Sequence, residues 1–69
     1  MNPTFAPAAG LATPAEVAEY RRVTVAALAQ ERYLGRGPAY IKTGRTIRYR
    51  WEDVHAFLAS ARIEPQGAA

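Results

Sequence analysis

The segment from Arg36 to Arg50 constrains the fold of this chain more than any other, because its pattern is that of a short hairpin. A Gly-Pro pair interrupts the structure that precedes it, and a glycine lies among polar residues at its middle. Apolar and basic residues alternate on both sides of that glycine with the two-residue period of a strand. The alternation predicts that one set of side chains faces a core, namely Ile41, Ile47 and Tyr49. The other set, Lys42, Arg48 and Arg50, is expected to face solvent or a partner, with Arg45 at the tip.

Positive charge is concentrated in the same part of the chain. Six basic residues and no acidic residue lie between positions 32 and 50, which gives this segment a charge of +6 in a chain whose formal total is +3. The remaining residues are therefore net acidic. Clustered positive charge favours an anionic partner, and DNA, RNA and an anionic membrane all fit that description. A basic loop that only keeps the protein soluble is the alternative.

Length and composition limit the classes of protein that the chain can belong to. Its 69 residues predict a single domain whose core contributes only about 3 to 5 kcal/mol of net stability. The absence of cysteine excludes disulfides and thiolate zinc sites. No basic and apolar leader and no run of about 18 apolar residues is present, so we expect a cytoplasmic protein with no membrane partner.

Two helices are predicted before the hairpin, each with an N-cap. The first begins after Thr13, whose hydroxyl can cap the Glu16 amide, and runs from Pro14 to about Tyr20. Leu11 is expected to pack down on this helix. The second begins after Thr24 and runs over about 25–34. Helical spacing places Leu28 on its core side and four other residues together on the opposite, uncharged face: Ala26, Ala29, Gln30 and Tyr33.

A third helix is predicted after the hairpin and ends near Arg62. Two acidic residues in its first turn suit the helix dipole, and an apolar stripe follows at helical spacing, formed by Val54, Phe57 and Leu58. Trp51 is expected to fill the space between the hairpin and this helix; stacking on a neighbouring molecule is the alternative. The predicted organisation is a disordered arm at 1–10, an ordered domain at 11–63 and a frayed tail at 64–69.

Catalysis and metal binding have little support in this sequence. The chain has one histidine, one serine and one aspartate, all in the third predicted helix, where His55 and Asp53 point to different faces. A lone histidine without cysteine does not form a metal site, and we expect His55 to be a surface residue of its helix. We therefore expect no enzymatic activity, no metal, no cofactor and no small-molecule ligand.

The order of helix, turn, helix, basic hairpin and closing helix is that of a winged helix-turn-helix: mainly α, with three helices and a two-stranded wing. The runs LATPAEVAEY, VTVAAL and GRGPAYIKTGRTIRYRWEDVHAFL resemble the excisionases, or recombination directionality factors, within the MerR-like winged-helix DNA-binding family of phages and mobile elements. The resemblance extends without gaps from Leu11 to about Arg62. It departs at Arg21 and Arg22, where the family commonly has an apolar residue and a glycine, and at Ala26 and Ala27, where it often has arginine and threonine.

The resemblance implies a role for each candidate site residue. The second helix would enter the major groove, where Gln30 could pair with an adenine edge and alanine methyl groups could meet thymine methyl groups. The residues expected to contact the major groove are Thr24, Ala26, Gln30 and Tyr33. Those expected to contact phosphates are Arg32, Lys42 and Arg48, with Arg21 and Arg22 as compensating phosphate ligands from the turn. Arg45 is expected in the minor groove, and Arg36 and Tyr40 complete the basic surface.

The function that the resemblance implies is sequence-specific binding of double-stranded DNA at tandem sites of an attachment region. Excisionases of this type bend the DNA and direct a partner integrase toward excision. We expect a monomer in solution that associates head to tail with further copies on DNA, near the nucleoid of the host cytoplasm. Two alternatives remain open: a small winged-helix transcriptional regulator, and a protein-protein adaptor that uses the basic hairpin on an acidic partner.

Overall fold

The computed structural model describes residues 10–66, which form three helices and a three-stranded antiparallel sheet. In chain order the elements are β1 (Leu11–Ala12), α1 (Pro14–Arg21), α2 (Val25–Tyr33), β2 (Ile41–Thr43), β3 (Thr46–Arg50) and α3 (Trp51–Ala61). The three predicted helices are present, and the sheet has one strand more than the two that the sequence predicts. The predicted arm lies outside the described residues except for Gly10, and so do the last three residues of the predicted tail. None of the described helices has the length and apolar character that a membrane span requires.

Local side-chain caps begin the first two helices, as the sequence predicts. Thr13 Oγ1 accepts a hydrogen bond from the Glu16 amide at 3.1 Å, and Glu16 Oε1 accepts one from the Thr13 amide at 2.9 Å. Thr24 Oγ1 accepts from the Ala27 amide at 2.9 Å. Each bond satisfies an amide that has no partner inside its helix, so the helix starts are fixed by residues within one turn.

Arg22 makes the turn between α1 and α2 in a left-handed backbone conformation, with φ at 62° and ψ at 42°. Its amide donates to the carbonyls of Ala18 and Glu19, which closes the end of α1. Glycine adopts this conformation without a steric penalty, whereas a residue with a Cβ adopts it only at a steric cost. Here an arginine takes this conformation.

The hairpin register corrects the predicted orientation of two side chains. Ile41 pairs with Arg48, and Lys42 pairs with Ile47. Directly opposed residues of an antiparallel pair project from the same face, so Lys42 lies on the face of Ile47 and Tyr49, and Ile41 lies on the opposite face. We call these the inner and outer faces of the hairpin. The prediction that Ile41 faces the core and Lys42 faces away is wrong, and Ile41 is 38% exposed.

The reason for this reversal is the length of the connection. Only Gly44 and Arg45 separate the paired residues Thr43 and Thr46, and Gly44 takes a positive φ of 63°. With a two-residue connection, each pair of opposed residues has one odd-numbered and one even-numbered member. Odd-numbered residues of one strand therefore share a face with even-numbered residues of the other. The alternation along each strand was readable in the sequence, whereas the register between the strands was not.

The strand β1 is absent from the sequence prediction and changes the environment of Leu11. Ala12 pairs with Tyr49 and Leu11 pairs with Arg50, and the Gly10 carbonyl accepts from the Trp51 amide at 3.0 Å. Strand alternation turns Ala12 into the core, where it is 1% exposed, and leaves Leu11 61% exposed on the outer face. The expectation that Leu11 packs on α1 is therefore wrong.

One core joins the sheet to the helices. It is formed by Ala12, Val17, Ala18, Leu28, Tyr49, Trp51 and Val54, with Ile47 and Leu58 packed against it. Trp51 is buried in this core, and its ring meets the ring of Tyr20 in α1 edge-on, with 5.4 Å between the ring centres. Leu28 is the buried residue of α2, so this helix is held to the core mainly through one apolar side chain.

Candidate nucleic-acid interface

The outward face of α2 is uncharged, made of small or polar side chains, and exposed. Gln30 and Tyr33 lie on it together with Ala26 and Ala29, and Tyr33 is 84% exposed. Thr24, at the start of the helix, is exposed as well, and its oxygen is engaged in the helix cap. Three of the four residues that the sequence predicts for contact with a major groove, Ala26, Gln30 and Tyr33, thus lie on one exposed face of α2. Thr24 is exposed at the N-terminal end of the helix, outside that face.

Ion pairs divide the basic residues into two groups. Within residues 10–66, three arginines pair with carboxylates: Arg21 with Glu31, Arg50 with Glu52, and Arg62 with Glu64. The other described basic residues have no acidic partner in that range, and they are Arg22, Arg32, Arg36, Lys42, Arg45 and Arg48. All six belong to the predicted interface. The positive charge left uncompensated therefore lies in the turn before α2, on α2 and in and around the hairpin.

Arg21 is an internal residue in this fold. Its Nη1 and Nη2 donate to the two carboxylate oxygens of Glu31 at 2.8 and 2.9 Å, and its guanidinium lies 5.1 Å from the centre of the Phe57 ring. The hydrogen bonds that Arg21 donates to the Glu31 carboxylate raise the pKa of Arg21 above its ordinary value, although burial opposes that shift. Because its side chain is 11% exposed and joins α1, α2 and α3, we leave Arg21 out of the proposed interface.

The loop after α2 packs closely against the same ion pair. A Cβ on Gly37 would lie 2.5 Å from Glu31 Oε1, whereas one on Gly35 would have no atom within 4 Å. Both glycines have a positive φ, at 83° and 72°, so both substitutions carry a similar backbone penalty. We expect Gly37→Ala to destabilise the protein by about 2 to 4 kcal/mol and Gly35→Ala by about 1 to 2 kcal/mol. Urea denaturation of the two variants measures the difference, and equal losses would show that Glu31 moves aside without cost.

Arg32 connects α2 to the hairpin. Its Nη1 donates to the Tyr49 hydroxyl at 2.7 Å, and its guanidinium carbon lies 5.7 Å from the centre of the Tyr40 ring and 5.9 Å from that of Tyr49. The two tyrosine rings are 6.2 Å apart. Tyr49 is buried, whereas Arg32 is half-buried and Tyr40 is 41% exposed. The arginine is thus fixed beside two aromatic rings at the junction of helix and hairpin.

The cations of the hairpin do not share one face. Lys42 is exposed and projects from the inner face, and Arg45 is exposed in the connection at the tip. Arg48 is half-buried on the outer face, where its Nη1 donates to the Ile47 carbonyl at 2.7 Å. Arg36, in the loop before the hairpin, is exposed. A partner that lies along α2 therefore meets Arg36, Lys42 and Arg45 more readily than Arg48.

Arg22 stands apart from the hairpin, in the turn that precedes α2. It is exposed, two residues before the helix cap Thr24. It lies near the N-terminal end of α2, whereas the chain leaves for the hairpin from the C-terminal end. Of the two turn arginines in the prediction, the structure exposes this one and pairs the other internally.

His55 and Ser60 each contact other residues of the described structure. His55 is half-buried, and its ring centre lies 6.1 Å from that of Trp51 and 5.7 Å from that of Tyr20. Ser60 donates to the Phe57 carbonyl at 2.8 Å. Over residues 10–66 no group of three His, Cys, Asp or Glu side chains could hold a metal ion.

Two contacts of this region could not be inferred from the sequence. The Arg21–Glu31 pair spans ten residues and two helices, and the Arg32–Tyr49 bond joins a helix to a strand seventeen residues later. The sequence offers one signal for the second contact: Arg32 follows Leu28 by one helical turn, which places it near the core side of α2.

Comparison of the chain with protein-family models, with curated proteins and with solved structures found no match.

Proposed function

We propose that this chain is a winged helix-turn-helix protein that binds double-stranded DNA, with α2 in the major groove and the hairpin as the wing. The observation that carries the proposal is the group of six basic residues without acidic partners in the described range, placed on and around α2 and the hairpin. The phosphates of a duplex are anions that such a group of cations can neutralise, because a duplex carries one negative charge per about 1.7 Å of its axis.

The shape of α2 supports the major groove as its site. The groove is about 12 Å wide and admits one helix, and small side chains such as Ala26 and Ala29 allow the helix backbone to come close to the bases. Gln30 is the residue on this face that could read a base edge, since its amide both donates and accepts. With a single such residue on this face, phosphates and DNA shape would supply most of the affinity.

We further propose that its role is that of an excisionase, which binds tandem sites in an attachment region, bends the DNA and directs an integrase. The support for this role is the resemblance over residues 11–62, and the geometry supports only the DNA-binding part. Monomers associating head to tail on the DNA, through the hairpin of one copy and the helices of the next, belong to the same proposal. A transcriptional regulator with this fold would use the same surface.

A gel-shift titration tests the proposal. The attachment-region duplex beside the gene and a scrambled duplex of equal length are compared at about 50 mM and about 200 mM salt. The proposal predicts a ladder of discrete complexes on the native fragment alone, and altered excision when the cognate integrase is added. Specific binding without any effect on excision would favour the regulator. No binding to either duplex at low salt would overturn DNA binding and favour an adaptor for an acidic protein.

Arg45 and Lys42 give a prediction about the kind of contact that each makes. Both are exposed and have no acidic partner within residues 10–66, so neither substitution should alter the fold. We expect Lys42→Ala to weaken binding equally on all duplexes and to lower the salt slope by about 0.9, because it removes one phosphate contact. Arg45→Ala should weaken binding more on duplexes with a narrow A·T-rich minor groove. Equal losses on A·T-rich and G·C-rich duplexes would place Arg45 on phosphate as well.

A further inference from the structure

Within residues 10–66, Arg32 is the one cation of the proposed interface whose guanidinium is held by other side chains. The Tyr49 hydroxyl accepts from its Nη1 at 2.7 Å, and the rings of Tyr40 and Tyr49 lie within 6 Å of its guanidinium carbon. The Tyr49 ring is 1% exposed and fixed in the core, so it provides a rigid support. The exposed cations of the interface, Lys42 and Arg45 among them, have no such side-chain contacts within residues 10–66.

The guanidinium of Arg32 retains most of its capacity to donate hydrogen bonds. An arginine has five N–H donors, and over residues 10–66 only the one directed at Tyr49 has a partner. Arg32 is half-buried at the junction of α2 and the hairpin, on the side where Lys42 projects from the inner face. A planar donor group in a partly desolvated position binds a phosphate through two parallel hydrogen bonds.

We infer that Arg32 is a preformed site for one phosphodiester of the DNA backbone, and that Tyr49 is its positioning residue. This inference rests on the proposed function and adds to it the place where one phosphate is fixed between helix and wing. An arginine already held in one conformation loses less side-chain freedom on binding than a free one. The Tyr49 hydroxyl therefore contributes to DNA affinity although the buried ring touches no DNA.

The test is a double-mutant cycle that joins Arg32→Ala and Tyr49→Phe, with the dissociation constant for duplex DNA as the readout. Tyr49→Phe keeps the buried ring and removes only the hydroxyl. We expect it to raise the dissociation constant about three- to tenfold in the wild-type background. In the Arg32→Ala background it should have no effect, because the group that it positions is gone. Arg32→Ala alone should lower the salt slope by about 0.9.

A second cycle, with Lys42→Ala in place of Arg32→Ala, is the control. Within residues 10–66 the Tyr49 hydroxyl accepts from Arg32 and has no hydrogen bond to Lys42, so the effects of Lys42→Ala and Tyr49→Phe on affinity should add. Binding is measured at a temperature where urea denaturation shows every variant to be folded. If Arg32→Ala does not fold, Arg32→Met replaces it: this variant keeps an aliphatic side chain against the two rings and removes the charge and the donors. It should lower the salt slope by about 0.9, and Tyr49→Phe should have no effect in its background.

Two outcomes would overturn the inference while the proposed function stands. An unchanged salt slope in Arg32→Ala would show that Arg32 is only a structural link between α2 and the hairpin. Equal effects of Tyr49→Phe in both backgrounds would show that the hydroxyl acts through stability alone. Failure of the wild-type protein to bind duplex DNA would overturn the proposed function and this site with it, and that result is distinct from the other two.

Discussion

Replacing Leu28 with alanine is expected to lower the free energy of unfolding by about 2 to 4 kcal/mol. Leu28 is fully buried, and α2 has no other buried side chain among the described residues. A single domain of this size has only about 3 to 5 kcal/mol of net stability, so the variant should be close to unfolded at room temperature. The expected fall in melting temperature is about 10 to 20 °C.

Leu34→Ala is the matched control, because Leu34 is also a leucine, lies at the C-terminal cap of the same helix and is 47% exposed. It should cost less than about 1 kcal/mol, since it removes little area from the core and creates no cavity. Thermal denaturation followed by circular dichroism compares the two variants. Similar losses for both would show that α2 is held by its polar links, Arg21–Glu31 and Arg32–Tyr49, and not by Leu28.

Neutralising the exposed cations together is expected to have the largest effect on binding. The triple variant Arg36→Ala, Lys42→Ala, Arg45→Ala removes three charges that have no ion pair or side-chain hydrogen bond within residues 10–66, so its fold and stability should be unchanged. Each of these cations releases condensed counterions when it binds next to the DNA backbone, on a phosphate or in the minor groove, so loss of all three lowers the salt slope by about 2.7 and the affinity at about 50 mM salt by about 10³-fold. Between about 50 and about 200 mM salt, the wild-type affinity should fall about 40-fold more than that of the variant.

The control for this variant is Arg62→Ala. Arg62 is an exposed, positively charged residue that pairs with Glu64. It follows α3 and lies outside the proposed surface. Its removal should leave the salt slope unchanged. Fluorescence anisotropy with a labelled duplex measures both variants. If Arg62→Ala and the triple variant lose affinity in proportion to the charge removed, binding depends on net charge and not on the surface formed by α2 and the hairpin.

The parts of the fold that the sequence predicts correctly depend on neighbours in the chain. The caps at Thr13 and Thr24 act over three residues, and the burial of Leu28 and Val54 follows from helical spacing alone. The hairpin itself was also predictable, because its two strands and its glycine are contiguous. These elements give the fold its three helices and its central strand pair.

The parts that the sequence does not predict depend on pairing between distant residues. The hairpin register placed Lys42 on the inner face, against expectation, because strand alternation alone does not determine which residues oppose each other. Strand β1 has two residues, too few for any pattern, and exists because β3 offers it an edge. Arg21 resembled a surface cation in the sequence and pairs with Glu31 only because α1 and α2 meet.

A chemical-shift titration tests most directly whether α2 and the hairpin form one DNA-binding surface. The backbone amide shifts of the labelled protein are followed while a short duplex is added. We expect the largest changes in residues 24–34 and 40–48, with small changes over the second half of α3. Changes concentrated on α3, or none at any residue at low salt, would contradict it.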